Sequence, residues 1–237
     1  MSDPATSKHP LLEVGKLCAG YGRSQVLFEV GLRVPQTGAI AVLGRNGVGK
    51  TTLLKTIIGE LPAMAGHVLL AGRDIIGLRT EQRIRLGLGY VPQEHAVFAK
   101  LSVRDNLAVG GLSQRHQAMG EVLSLFPKLG QRLGQAAGTL SGGERKMLAM
   151  SRALLLKPRV LLLDEPTEGV WVGVIEEIAS RLKQLVREMA VVIVEQHLEL
   201  ALEVADYAYV LDRGRLVLEG PSQIIRNDPQ LIQILAP

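Results

Sequence analysis

Gly44-Arg45-Asn46-Gly47-Val48-Gly49-Lys50-Thr51, with Thr52 directly after, satisfies the spacing G-x-x-x-x-G-K-[ST]. Each residue type has a chemical reason to stand there. The glycines let the chain bend until successive backbone N–H groups point inward at phosphate oxygens. A helix starting at the end of the run adds the positive end of its dipole. Lys50 supplies a point charge for terminal phosphates, and the Thr51 hydroxyl can ligate Mg²⁺. With glycine at about 7% of average usage, such a run arises by chance in roughly one window in 10⁴. The expectation is a binding site for the phosphates of a nucleoside triphosphate.

Such a site needs an acid from elsewhere in the chain to face the metal. Val160-Leu161-Leu162-Leu163-Asp164 ends an aliphatic run in a carboxylate, and Glu165 follows. An acid at the C-terminal end of a parallel strand reaches the crevice where such sheets bind ligands. Asp164 then suits the metal's shell, and Glu165 can activate a water. A second anion-seeking segment is Leu140-Ser141-Gly142-Gly143-Glu144. Ser141 with Glu144 three residues on is a capping box, and two glycines in the first turn leave the backbone N–H groups bare.

These groups must be held by a scaffold, and composition bounds it. The chain has 237 residues, 47% apolar and 21% charged, enough for one large domain and unlike a disordered chain. Three Phe, one Trp and four Tyr leave an aliphatic core and argue against base-stacking sheets of the RNA-binding kind. The single cysteine, Cys18, excludes intrachain disulfides and zinc sites built on several cysteines. A net charge of +4 with no three adjacent basic residues gives no polybasic arm, so no nucleic-acid partner is expected. Aliphatic runs of four or five residues fall far short of the roughly 20 that span a bilayer.

Periodicity places the elements. Strands are predicted at 11–17, 31–34, 39–43, 88–91, 160–163, 190–194, 207–211 and 216–219, with Gly20-Tyr21-Gly22 as a turn. Helices are predicted over 50–58 and from residues 141, 174 and 198, with helical patches across 102–138 that begin at a Ser102/Asp105 cap. Residues 1–10 read as a disordered tail. Short aliphatic strands alternating with helices predict an α/β domain whose largely parallel sheet is covered on both faces.

Taken in order, these segments resemble the ATP-binding cassette (ABC) family over about residues 11–220. Beyond the phosphate loop at 44–52, Leu140–Glu144 matches that family's L-S-G-G-x signature, Tyr21 its adenine-stacking aromatic, and Gln93 its glutamine loop. Asp164 and Glu165 match the metal-side acid and general base, and His197 the switch histidine. The resemblance implies one domain over 11–237. It would have a P-loop NTPase core, an antiparallel β subdomain on the N-terminal side, and a helical subdomain inserted at about 94–156.

It also implies ATP and Mg²⁺ as ligands, with Thr51, Gln93 and Asp164 on the metal and Lys50, Gln93, Glu165 and His197 in catalysis. Two cassettes would pair head to tail, so that Lys50 of one and Ser141–Glu144 of the other hold the same ATP. Gly87-Leu88-Gly89-Tyr90-Val91-Pro92-Gln93, Glu165–Gly169 and Val194-Glu195-Gln196-His197 resemble bacterial importer subunits for branched-chain amino acids or urea. That subgroup implies a peripheral subunit on the cytoplasmic face of the inner membrane. Its partners would be a like or paralogous ATPase, transmembrane permease subunits and, indirectly, a periplasmic solute-binding protein. Cassettes acting in repair or translation, or as regulatory ATP-binding modules, are the alternative. Two stretches depart from the subgroup pattern: Glu94-His95-Ala96-Val97-Phe98 and Gly169-Val170-Trp171-Val172.

Overall fold

The computed structural model describes residues 9–110 and 117–235, so most of the predicted tail at 1–10 lies outside the described residues. Strands β1 (Leu12–Tyr21) and β2 (Ser24–Val34) form an antiparallel hairpin, longer than the runs read from sequence. Tyr21 is the last residue of β1, paired with Ser24, rather than part of the turn. Register shifts after Val14, Leu17 and Ala19, with Lys16 and Glu29 at positive φ, break the period-2 pattern that marks a strand.

β3 (Gly38–Leu43) leads through the phosphate loop into α1 (Lys50–Ile58). Three elements absent from the sequence reading follow: β4 (Ala63–Leu70), β5 (Arg73–Asp74) and α2 (Thr80–Arg85). β4 buries only Val68 and Leu70, and α2 has six residues, so neither carries a full apolar period. β6 (Leu88–Val91) then enters the main sheet.

A helical segment separates β6 from its neighbour. It comprises α3 (Val103–Gly110), α4 (Gln117–Leu125), α5 (Pro127–Gly130), a 3₁₀ turn (Ala137–Thr139) and α6 (Gly142–Leu154). The chain continues through β7 (Val160–Asp164), α7 (Val172–Leu185), β8 (Ala190–Glu195), α8 (Leu198–Val204) and β9 (Tyr207–Asp212). It closes with β10 (Arg215–Pro221), α9 (Ser222–Ile225) and α10 (Pro229–Leu235).

Among the described residues the strands form a four-stranded sheet, β2-β1-β4-β5, and a six-stranded sheet, β10-β9-β3-β8-β7-β6. The larger sheet is parallel except for β10 at its edge. β3 shows why it reads as an unbroken aliphatic run. Ala39, Ala41 and Leu43 join the core under the helices, whereas Ile40 and Val42 join the core shared with α1 and the smaller sheet. Both faces are buried, so the fold is α/β with a covered, mostly parallel sheet, as expected. No helix among the described residues is long and apolar enough to cross a membrane.

One buried cation braces α1. Arg83, 3% exposed, donates to the carbonyls of Thr56 at 2.8 Å and Ile57 at 2.7 Å at the helix C-terminus, and to Leu78 O at 2.9 Å. Those carbonyls have no intrahelical donor of their own. Replacing Arg83 by Met keeps much of the volume but orphans them. We expect a loss of about 2–4 kcal/mol, read as a lower urea midpoint at unchanged slope.

Candidate functional site

Strand order sets the site. β3 and β7 flank β8, so the loop after β3 and the acids after β7 open on the same C-terminal edge of the sheet. Gly49 caps α1 at φ 114°, where a Cβ would lie 2.8 Å from Leu27 Cδ2. A Cβ on Gly44 would lie 2.5 Å from the carbonyl oxygen of Leu211. Both positions therefore require glycine for the loop to sit this close to its neighbours.

An open cleft of about 490 Å³ lies over the loop, lined by Asn46, Lys50, Thr51 and Thr52 with Tyr21, Gln93 and Glu165 around them. Gly47 and Gly49 also line it. Gly44 and Arg45 meet Lys50 through their carbonyls, which accept from Nζ at 2.9 and 3.0 Å. Val48 packs toward the core, and its carbonyl accepts from the Gly214 amide at 2.9 Å. Tyr21 stands half exposed on one wall.

The acids are close by. Asp164, 1% exposed, accepts from Thr51 Oγ1 at 3.1 Å and from the Tyr90 hydroxyl at 3.2 Å. Burial pushes its carboxyl above the usual range, and the two hydroxyls oppose that rise. Tyr90 is pushed up in turn, first by burial and then by the Asp164 charge. Glu165 is nearly buried and holds φ 45°, a left-handed conformation uncommon for a side-chain-bearing residue. Its Oε1 lies 3.1 Å from Lys50 Nζ, and its Oε2 accepts from Gln93 Nε2 at 3.2 Å. Gln93 Nε2 also donates to Glu168 Oε2 at 2.8 Å.

No group of three or more His, Cys, Asp or Glu side chains among the described residues could hold a metal by itself. Thr51 and Asp164 do place two hard oxygens side by side below the cleft. Mg²⁺ takes few protein ligands and completes its octahedron with phosphate and water oxygens, so this pair fits it. A divalent cation there would also compensate the Asp164 carboxylate, which is buried and has no ion-pair partner at contact distance among the described residues.

Ser141–Glu144 lie away from this cleft. Ser141 caps α6: its Oγ accepts from Glu144 N at 3.2 Å, and Glu144 Oε2 accepts from Ser141 N at 2.9 Å. Burial of Glu144 is outweighed by the Ser141 hydrogen bonds and by Arg132 and Lys128, which hold its carboxyl below the usual range. Gly142 lines a separate cleft with Gln93, Lys146 and Glu168. A Cβ on Gly143 would fall 2.4 Å from Val174 Cγ1, so α6 packs tightly on α7 there.

His197 heads α8, is exposed, and is not one of the described residues that line the cleft. The residue two places before it does more local work. Glu195, 1% exposed, accepts from Thr167 N at 3.0 Å and Thr167 Oγ1 at 2.7 Å, and from the amides of Gln196 and His197. It ties the loop after Glu165 to the start of α8. The sequence reading names Glu195 only within Val194–His197 and gives it no role, although it carries the mark that singled out Asp164, an acid closing an aliphatic strand. Tyr90 and Glu168 stand in segments that carry the subgroup resemblance but have no role of their own in that reading, and Lys146 lies in no quoted segment.

Comparison with known proteins places the chain in a family. The family model described as "ABC transporter" matches residues 27–168. The high-affinity branched-chain amino acid transport ATP-binding protein BraG of Pseudomonas aeruginosa is 39% identical over 226 residues, 93% of this chain and 97% of that one. The lipopolysaccharide export system ATP-binding protein LptB of Acidithiobacillus ferridurans is 34% identical over 231 residues, 94% and 95% of the two chains. The crystal structure of a nucleotide-free ATP-binding cassette from an ABC transporter superposes with a TM-score of 0.87 at 24% identity, covering 96% of this chain and 99% of that one, which speaks for the fold. Family model and full-length relatives converge on one answer: this chain belongs to the ATP-binding subunits of ABC transporters, a family of ATPases coupled to transport.

Proposed function

We propose that this chain hydrolyses ATP in a head-to-tail dimer that drives a bacterial importer. The observation that carries the proposal is the meeting of Lys50, Thr51, Gln93 and Glu165 around one cleft, with Asp164 bonded to Thr51 below it. In this reading the loop amides and Lys50 hold the β- and γ-phosphates, and Tyr21 stacks on the adenine. Thr51, Asp164 and Gln93 would hold Mg²⁺, which when bound neutralises charge on the phosphates. Glu165 takes a proton from the water whose oxygen bonds the γ-phosphorus, as the bond from that phosphorus to the β–γ bridging oxygen breaks. His197 at the start of α8, although not among the described residues that line the cleft, takes the γ-phosphate contact that the family resemblance assigns to it.

The dimer accounts for the placement of Ser141. In this reading its helix start, with Gly142, Gly143 and Glu144, none of which lines this chain's own cleft, completes the nucleotide site of a partner. Permease contact is assigned to the groove lined by Tyr90, His95, Phe98, Val109, Arg152 and Leu156. Phe98, Val109 and Leu156 remain 42–48% exposed there, an apolar strip suited to a short amphipathic segment. That partner would hold the subunit on the cytoplasmic face of the inner membrane.

Likeness to BraG supports branched-chain amino acids as cargo, with urea the other solute of that subgroup. Likeness to LptB supports a second reading, an exporter of a lipid-linked cargo. The test of the dimer is the solution mass of Glu165→Gln protein with and without MgATP. ATP is expected to double the mass, and Ser141→Arg to abolish the doubling. A mass that stays monomeric while ATP binds would overturn self-pairing and point to a paralogous ATPase.

A further inference from the structure

The mechanism above leaves Lys146 without a task, yet this side chain touches the site from behind. It is the fifth residue of α6, five past the Ser141 cap, and is only partly exposed. Its Nζ donates to the carbonyl oxygen of Gln93 at 2.8 Å and to that of Glu165 at 3.0 Å. Burial holds the ammonium below the ordinary lysine range, against the pull of the Glu168, Glu195, Asp164 and Glu165 carboxylates. A second cation on the same helix repeats the grip. Arg152 donates to Ala96 O, at 2.6 Å, and lies 4.5 Å over the Phe98 ring. Segment 93–98 is thus held to α6 at both ends.

We infer that Lys146 is a positioning residue that fixes the Glu165 carboxylate over the cleft and carries the position of α6 to it. The geometry supplies the reason. Glu165 sits at φ 45°, and its carboxylate direction follows from that backbone conformation. Such a conformation persists only where its surroundings over-determine it. Residue 165 is held at its N–H, which donates to Val194 O at 2.9 Å, and at its carbonyl, which accepts from Lys146 Nζ at 3.0 Å and from the Glu168 amide at 3.3 Å. The same ammonium holds the backbone of Gln93, whose side chain bonds Glu165 Oε2. One charge therefore aims both groups that meet at the reacting end of the cleft. Because it rides on the helix that Ser141 caps, any shift of that helix end on meeting a partner's nucleotide is felt at Glu165.

This inference rests on Glu165 being the general base. Its test is steady-state ATP hydrolysis by the full chain carrying Lys146→Met, Lys146→Arg, Glu165→Gln, and Lys146→Met with Glu165→Gln together. Lys146→Met is expected to lower kcat about 10- to 100-fold, the usual result of misplacing a reacting group by about an ångström. KM for ATP should change less than about three-fold, because the phosphate loop is untouched. Lys146→Arg should recover most of the loss, and the double variant should be no slower than Glu165→Gln alone. A lowered Tm with kcat unchanged in Lys146→Met would overturn the inference, and so would a further loss of kcat in the double variant. Wild-type kcat in Glu165→Gln would overturn instead the general-base reading beneath it.

Discussion

Lys50→Met should raise the Kd for MgATP at least about 100-fold and, without nucleotide, destabilise the fold by roughly 3 kcal/mol. The first effect follows from losing a charge-assisted contact to phosphate, worth about 2.7 kcal/mol at a 100-fold change. The second comes from Glu165. The Lys50 side chain is 3% exposed and ion-paired to a carboxylate that is 8% exposed. Removing the cation strands that carboxylate in a nearly dry place. Calorimetric titration reads the affinity and urea unfolding the stability. Adding Glu165→Gln to Lys50→Met should restore most of the stability and none of the affinity. Equal instability of the single and double variants would show that the ion pair is not the source of the loss.

Glu165→Gln alone should lower kcat by about 10²- to 10⁴-fold, an increase of ~3–5 kcal/mol in the barrier. The amide has the carboxylate's shape and can still meet Gln93, but it cannot take a proton from water at neutral pH. Affinity for MgATP should hold or improve, since one negative charge leaves the neighbourhood of the γ-phosphate and frees Lys50 from its 3.1 Å partner. Single-turnover hydrolysis with saturating enzyme separates the two effects. Undiminished hydrolysis would move the base elsewhere, with Glu168 next to be tested because it shares Gln93 with Glu165.

Legibility in the sequence followed local chemistry. The phosphate loop, Asp164 and the Ser141–Glu144 cap were readable because contiguous residues make each of them. The parallel strands were readable because burial on both faces forces an aliphatic run. The smaller sheet was harder to read. Its bulges at Lys16 and Glu29 scramble alternation, and β4 opens with Ala63-Met64-Ala65-Gly66, which carries little pattern. Contacts such as Lys146 to Glu165 join elements that only the strand order brings together. A reading that finds motifs one at a time has no means to pair them.

Trp171 has a use apart from any chemistry. It is the only tryptophan in the chain, stands just before α7, and is 77% exposed. The protein therefore carries its own optical label at one known address. Emission from a solvated indole lies at long wavelength and moves to shorter wavelength when a surface covers it. Any surface that covers the α7 end is thereby read from the unlabelled protein, as a shift at one residue.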